Sequence, residues 1–207
     1  MKVNNGLFIQ QFELLDRWNI PVAIPINTDD KEKNEMYATV ESYEKKYGKN
    51  EKYEIKSILE MLKKVRDNKT DLSIDGVLPF TVDVTYEDIQ LLEPELSGII
   101  SLVEYMKEEI SEEELIEKIG EIPVIFTGEY PDIEKGGYFG IHTVKHIKED
   151  YEMIPVFLNK KNVEEYNKGN HPTTETTIKE LRNFYSKYGI IVEPQKEYWA
   201  VIKPEVI

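Results

Sequence analysis

Five of the ten prolines in this chain stand between two aliphatic or aromatic residues: Ile20-Pro21-Val22, Ile24-Pro25-Ile26, Leu78-Pro79-Phe80, Ile122-Pro123-Val124 and Ile154-Pro155-Val156. A chain with 40% hydrophobic residues would place fewer there by chance. Proline lacks an N–H and fixes φ, so inside an apolar run it disfavours a helix and marks a strand start or a sheet edge. The chain is therefore expected to use short strands punctuated by proline. The segments between them carry helical periodicity, which makes the fold class α/β or α+β.

The periodicity places the elements. Phe8, Phe12, Leu15 and Trp18 recur at helical spacing ahead of a strand from Ile20 to Ile24. The polar stretch 27–52 reads as a loop with a helix over Met36 to Tyr47, closed by Gly48. Ile55, Ile58, Leu59, Leu62 and Val65 share one helical face, with Lys56, Glu60, Lys63 and Lys64 mainly on the other. Gly76 to Val84 reads as a strand, Thr85 to Asp88 as the cap of a short helix, and 97–107 as a separate helix. Ser111 and Glu114 form a capping box for a helix that stops at Gly120. Strands are expected over Ile122 to Phe126, over Tyr138 to about Ile147 after a Gly136-Gly137 turn, and over Met153 to Leu158. Asn159 caps a helix over 160–166, and 169–173 is a loop. A helix carrying Ile178, Leu181, Tyr185 and Tyr188 ends at Gly189, and strands over Ile190 to Val192 and Tyr198 to Ile202 close the chain.

Two of the proline phrases follow similar helices, one ending in Asn19-Ile20-Pro21-Val22 and the other in Glu121-Ile122-Pro123-Val124. This predicts two related lobes, 1–110 and 111–207, each a small sheet with packed helices. Ile122 to Phe126, then Met153 to Tyr166, with Val77 to Tyr86 in the first half, resemble the chaperone-type subunit family of the chloroplast import translocon and its cyanobacterial relatives. The resemblance implies two similar α/β halves and the binding of other proteins. It supplies no enzymatic residues.

Composition narrows the chemistry. The chain has no cysteine, so disulfides, thiolate catalysis and Cys-ligated metals are excluded. Its net charge of −14 disfavours nucleic acid and anionic membranes as partners. No apolar run reaches the ~18 residues of a membrane helix, so no membrane insertion is expected. Gln10, Gln11, Glu13 and Asp16 interrupt the apolar stretch that a signal peptide would need, which points to a cytoplasmic protein. His142 and His146 form an H-x-x-x-H pair. On a helix the rings would lie about 6 Å apart and could share a metal. The glycine-rich approach through Gly136, Gly137 and Gly140 favours a strand instead, where they lie about 13 Å apart. His171 belongs to a loop, and Asp29-Asp30 and Glu87-Asp88 suit a loop and a helix start. There is no phosphate loop, dinucleotide turn or nucleophile elbow. No catalytic residue, cofactor or metal is assigned.

The densest charge lies at 104–121, with eight glutamates against Lys107 and Lys118. Such a run is a solvated helical face or a docking surface for a basic partner. Glu108, Glu109, Glu112 and Glu113, with the aromatic pair Tyr198-Trp199, are the candidate protein-binding residues. The expected function is non-enzymatic protein binding, in assembly or chaperoning, with other proteins as partners and a homo-oligomer or larger assembly compatible with it. The alternatives are a structural or assembly subunit of a virus or phage particle, located within that particle, and an acidic inhibitor or immunity protein for a basic enzyme.

Overall fold

The computed structural model describes residues 22–25, 33–37, 39–74, 82–130 and 140–205. They form an α+β fold in two compact units divided between Ser97 and Gly98. The first unit runs through β1 (Val22–Pro25), β2 (Lys33–Met36), α1 (Val40–Tyr47), β3 (Tyr53–Lys56), α2 (Ile58–Asn68), β4 (Asp71–Ile74), β5 (Val82–Val84) and the start of α3 (Tyr86–Met106). β1 and β3 form an antiparallel pair. A separate three-stranded sheet has the order β2-β4-β5, parallel and then antiparallel. Ser57 opens α2 through a capping box with Glu60. The helix then buries Ile58, Met61, Leu62 and Val65, which is the stripe that 3.6-residue periodicity demands. The Glu35 carboxylate joins β2 to α1, accepting hydrogen bonds from the hydroxyls of Tyr37 (2.7 Å) and Tyr47 and from Lys46 Nζ (2.7 Å). Arg66 likewise joins α2 to α3 through an ion pair with buried Glu93.

The second unit holds the remainder of α3, α4 (Glu112–Ile119), β6 (Pro123–Thr127), β7 (Val144–Lys145), β8 (Glu152–Phe157), α5 (Lys160–Asn167), β9 (Thr173–Thr177), α6 (Ile178–Phe184), β10 (Gly189–Val192) and β11 (Ala200–Ile202). Its six-stranded sheet has the order β11-β10-β8-β6-β9, with β7 also paired to β8. β8 and β10 are parallel and the other pairs antiparallel. β8 is central, and Met153 to Phe157 are all buried. It tolerates Pro155 because of where the missing donor faces. The Val156 carbonyl accepts from Glu193 N (2.9 Å) on the β10 side, so the neighbouring Pro155 faces the other edge. There it falls between Met153, paired with Val144 of β7, and Phe157, paired with Ile125 of β6. No ladder bond is lost at that gap.

Several sequence expectations are corrected. Pro123 does start a strand, but Pro25 ends one and Pro155 sits inside one. The relation expected between the lobes is, by contrast, visible in the pairing: β1–β3 and β6–β9 are antiparallel, β2–β4 and β8–β10 parallel, and β4–β5 and β10–β11 antiparallel, in the same chain order, with β7 added in the second unit. Ile55 belongs to β3, is 49% exposed, and is not part of the α2 stripe. α3 is one helix of 21 residues that runs through Pro94. An interior proline costs about 3 kcal/mol. Burial of Leu92, Leu96, Ile99 and Leu102 on either side of it, at roughly 1.5–3 kcal/mol each, outweighs that. β2, β4 and β9 form where the sequence shows no strand signal, Met36 belongs to β2 rather than to a helix, and Gly189 begins β10 instead of ending α6. The helix expected over Phe8 to Trp18, the Asp29-Asp30 pair, Pro21, Pro79 and the Gly136-Gly137 turn lie outside the described residues. Among the described residues no helix is long and apolar enough to cross a membrane.

Candidate protein-binding surface

The acidic segment is a helix–turn–helix corner in the second unit. α3 ends in a Schellman motif: Glu108 N donates to the Tyr105 carbonyl and Glu109 N to the Glu104 carbonyl, both at 2.9 Å. This geometry puts Glu108 in the left-handed region (φ 60°), a place glycine usually takes. Ser111 then caps α4, its Oγ accepting from Glu114 N (3.2 Å) while the Glu114 carboxylate accepts from Ser111 N (2.8 Å). Glu112, Glu113 and Glu114 occupy the first turn, where the helix dipole favours negative charge.

The eight carboxylates do different work. Glu104 pairs with Lys118 (2.6 Å) and so links α3 to α4; Glu121 pairs with Lys179 (2.5 Å). Glu114 is committed to the capping box. Glu112 reaches the C-terminal strand, its Oε1 accepting from Lys203 N (2.9 Å). Glu108, Glu109, Glu113 and Glu117 are exposed, with Lys107 4.0 Å from Glu109.

The same corner meets Trp199, whose backbone N–H donates to the Met106 sulfur (3.3 Å). Trp199 and Lys203 flank β11, the end strand of the sheet. At even spacing their N–H groups leave the strand on the edge away from β10. Met106 and Glu112 therefore cap two donors of an edge that would otherwise invite strand addition. A partner here meets side chains, not an open ladder. At the surface, Trp199 and Met106 are each 45% exposed and form an apolar centre, with Glu108, Glu109 and Glu113 carried by the adjoining turn. Tyr198 is half-buried. Tyr105 is half-buried too, and burial together with the nearby charges of Glu112 and Glu113 pushes its hydroxyl pKa up. It is not an acid–base group at neutral pH.

Of the six candidate residues, Glu108, Glu109, Glu113 and Trp199 are exposed at this corner, Glu112 is spent on the sheet edge, and Tyr198 is half-buried beside Trp199 in the chain. Met106 and Tyr105 belong to the same surface. No sequence signal marks them, because Met106 meets Trp199 across 93 residues of chain.

The other candidates lie elsewhere. His142 and His146 flank the two-residue β7, so the pair is extended and not helical. Their rings have different neighbours, Tyr166 and His171 for the first and Tyr151 for the second. Among the described residues no three His, Asp or Glu side chains are grouped to hold a metal. Asp88 reciprocates the Thr85 cap at the start of α3. Compared with models of known protein families, with curated proteins and with solved structures, the chain matches none.

Proposed function

We propose that this protein works by binding another protein, without catalysis, and that the partner docks on the Trp199–Met106 corner. The observation that supports this is the pairing of two exposed apolar side chains with three exposed carboxylates, one of them beside Lys107, on a doubly capped turn. Aromatic residues and methionine are enriched where interfaces bury surface, and a charged rim steers encounter. The acid rim suits a basic protein, whose Lys or Arg side chains gain both the carboxylates and the Trp199 ring face. The resemblance to the translocon chaperone family supports protein binding in assembly or chaperoning, and the matching strand pairings of the two units suit that family's paired halves. The setting in this reading is the cytoplasm, consistent with a chain lacking cysteine.

The test is capture from source lysate by the wild-type chain, by Trp199→Ala and by the triple Glu108→Gln, Glu109→Gln, Glu113→Gln variant, with the mass of the free protein measured alongside. A basic protein retained by wild type and lost with both variants supports the reading. A partner retained equally by all three refutes it, and a large homo-oligomer with no partner favours the particle subunit.

A further inference from the structure

All three histidines of the chain lie in the second unit, and two of them bracket its shortest strand. β7 is two residues long and rests on the edge of β8 through Val144–Met153 and Lys145–Glu152, with Thr143 Oγ1 donating to the Glu152 carboxylate (2.8 Å). At its leading end, His142 N donates to the Thr127 carbonyl (3.0 Å). The His142 ring stacks on His171, with centroids 5.1 Å apart and planes 25° apart, and its Nε2 lies 3.3 Å from the Tyr166 hydroxyl. At its trailing end, His146 N donates to the Tyr151 carbonyl (3.0 Å), and the ring stacks on Tyr151 at 4.8 Å. His146 Nδ1 accepts two backbone N–H groups, from Lys148 (3.2 Å) and Glu149 (3.0 Å).

The trailing end requires a neutral imidazole, and the leading end no more than one charge on its two rings. Nδ1 of His146 cannot accept hydrogen bonds once it carries a proton, because both ring nitrogens of imidazolium are donors. The His142–His171 stack tolerates one charge but sets two like charges face to face when both rings are protonated. Histidine changes charge between about pH 5 and pH 8. The ionisable groups around the trailing end are Glu149, Asp150 and Glu152, with Glu112 and Tyr105 acting on Tyr151 from α4 and α3, against Lys145, Lys148 and Lys187, with Tyr188 alongside. Four carboxylates against three ammonium groups leave a small acidic excess, which does not oppose a proton arriving on the ring. At the leading end the ionisable neighbours are Tyr166 and His171. Hydrogen bonding and ring–ring repulsion therefore decide the response to acid.

We propose that β7 is an acid-released strap: protonation of the histidines at its two ends breaks the 146–149 turn and the His142–His171 stack, and β7 leaves the edge of β8 at Glu152 and Met153. The ladder is two residue pairs long, with the Thr143–Glu152 and His142–Thr127 hydrogen bonds beside it, and such short segments open before the sheet does. The exposed tip residue Ile147, at 96% exposure, moves without disturbing packing.

Amide and imidazole NMR of the full chain from pH 8 to pH 5 tests this. At pH 8 the His146 ring should carry its proton on Nε2, as its acceptor role requires. On acidification the amides of Val144, Lys145, Lys148 and Glu149 should shift in step with the His146 ring and lose exchange protection, while those of β6 and β10 hold. In His146→Asn, an uncharged side-chain oxygen replaces Nδ1 as the turn's acceptor. Combined with His171→Asn, it should abolish the transition. The proposal is overturned if the rings titrate while the β7 amides stay in place, or if the double variant releases β7 at the same pH as wild type. The wild-type titration decides the matter even where a variant folds poorly.

Discussion

Glu193 is the residue whose replacement should cost the second unit most. It is 1% exposed at the end of β10. Its carboxylate accepts from Leu158 N (2.7 Å) and from Asn162 Nδ2 (3.0 Å), which ties β10 to the start of α5. Glu193→Ala leaves both buried donors unmatched, at about 1–3 kcal/mol each, and adds a small cavity, so a loss of about 3–5 kcal/mol is expected. Backbone strain can be separated from this. Glu193 has φ 51°, where a non-glycine residue carries a penalty of about 1–2 kcal/mol. Glu193→Gly should therefore be less damaging than Glu193→Ala by about 1 kcal/mol. Glu193→Gln keeps a carbonyl for Leu158 N, and Asn162 can turn its amide oxygen to the new NH₂, so it should cost about 1 kcal/mol. The assay is urea unfolding followed by Trp199 fluorescence in a Trp18→Phe background, comparing midpoints at constant slope. If Glu193→Ala stays within about 1 kcal/mol of the parent, or glycine is worse than alanine, the reasoning fails.

Two further outcomes follow from the same geometry. Glu108→Gly should stabilise the second unit by up to about 1 kcal/mol, because glycine enters the left-handed cap without strain; a lower urea midpoint would contradict the Schellman reading. Burial works to raise the pKa of Glu35, but the hydrogen bonds from Lys46, Tyr47 and Tyr37 prevail and hold it below its ordinary 4.5. A depressed carboxylate contributes stability that is complete above the unfolded value and lost as pH falls through the folded one. The first unit should therefore weaken below about pH 4.5, and Glu35→Gln should flatten that limb of the stability profile; an unchanged limb would exclude Glu35 as its source.

The helices were legible where a cap and a stripe coincide. The Ser111–Glu114 box and Asn159 each start a helix where expected, because side-chain capping is a local interaction. The unforeseen strands are polar or mixed: Lys-Asn-Glu-Met in β2, Asp-Leu-Ser-Ile in β4 and Thr-Thr-Glu-Thr-Thr in β9. β2 and β9 end their sheets, so they bury too little to show a period-two pattern, and their pairing is set by partners distant in sequence. Pro94 reads as a break because proline is costly in isolation. Only the burial on both sides of it, a tertiary effect, keeps α3 whole. At the candidate surface, the glutamate run and Trp199 are each visible in the sequence. Their meeting is not, and neither is the diversion of Glu112 to the edge of β11, since both depend on contacts spanning more than 90 residues.

The central claim is that the partner is steered to the Trp199 corner by its exposed carboxylates, and the on-rate tests it most directly. The measurement is association of the captured partner with wild type and with the Glu108→Gln, Glu109→Gln, Glu113→Gln variant across a salt series. Exposed charges act over about a Debye length, roughly 8 Å at physiological salt, and contribute well under about 1 kcal/mol each to folding. The account expects the wild-type on-rate to fall as salt rises, and the variant to associate more slowly with a flatter salt dependence, both proteins folding alike. Equal on-rates with equal salt dependence would show that the carboxylates are only a solvated face, and would contradict it.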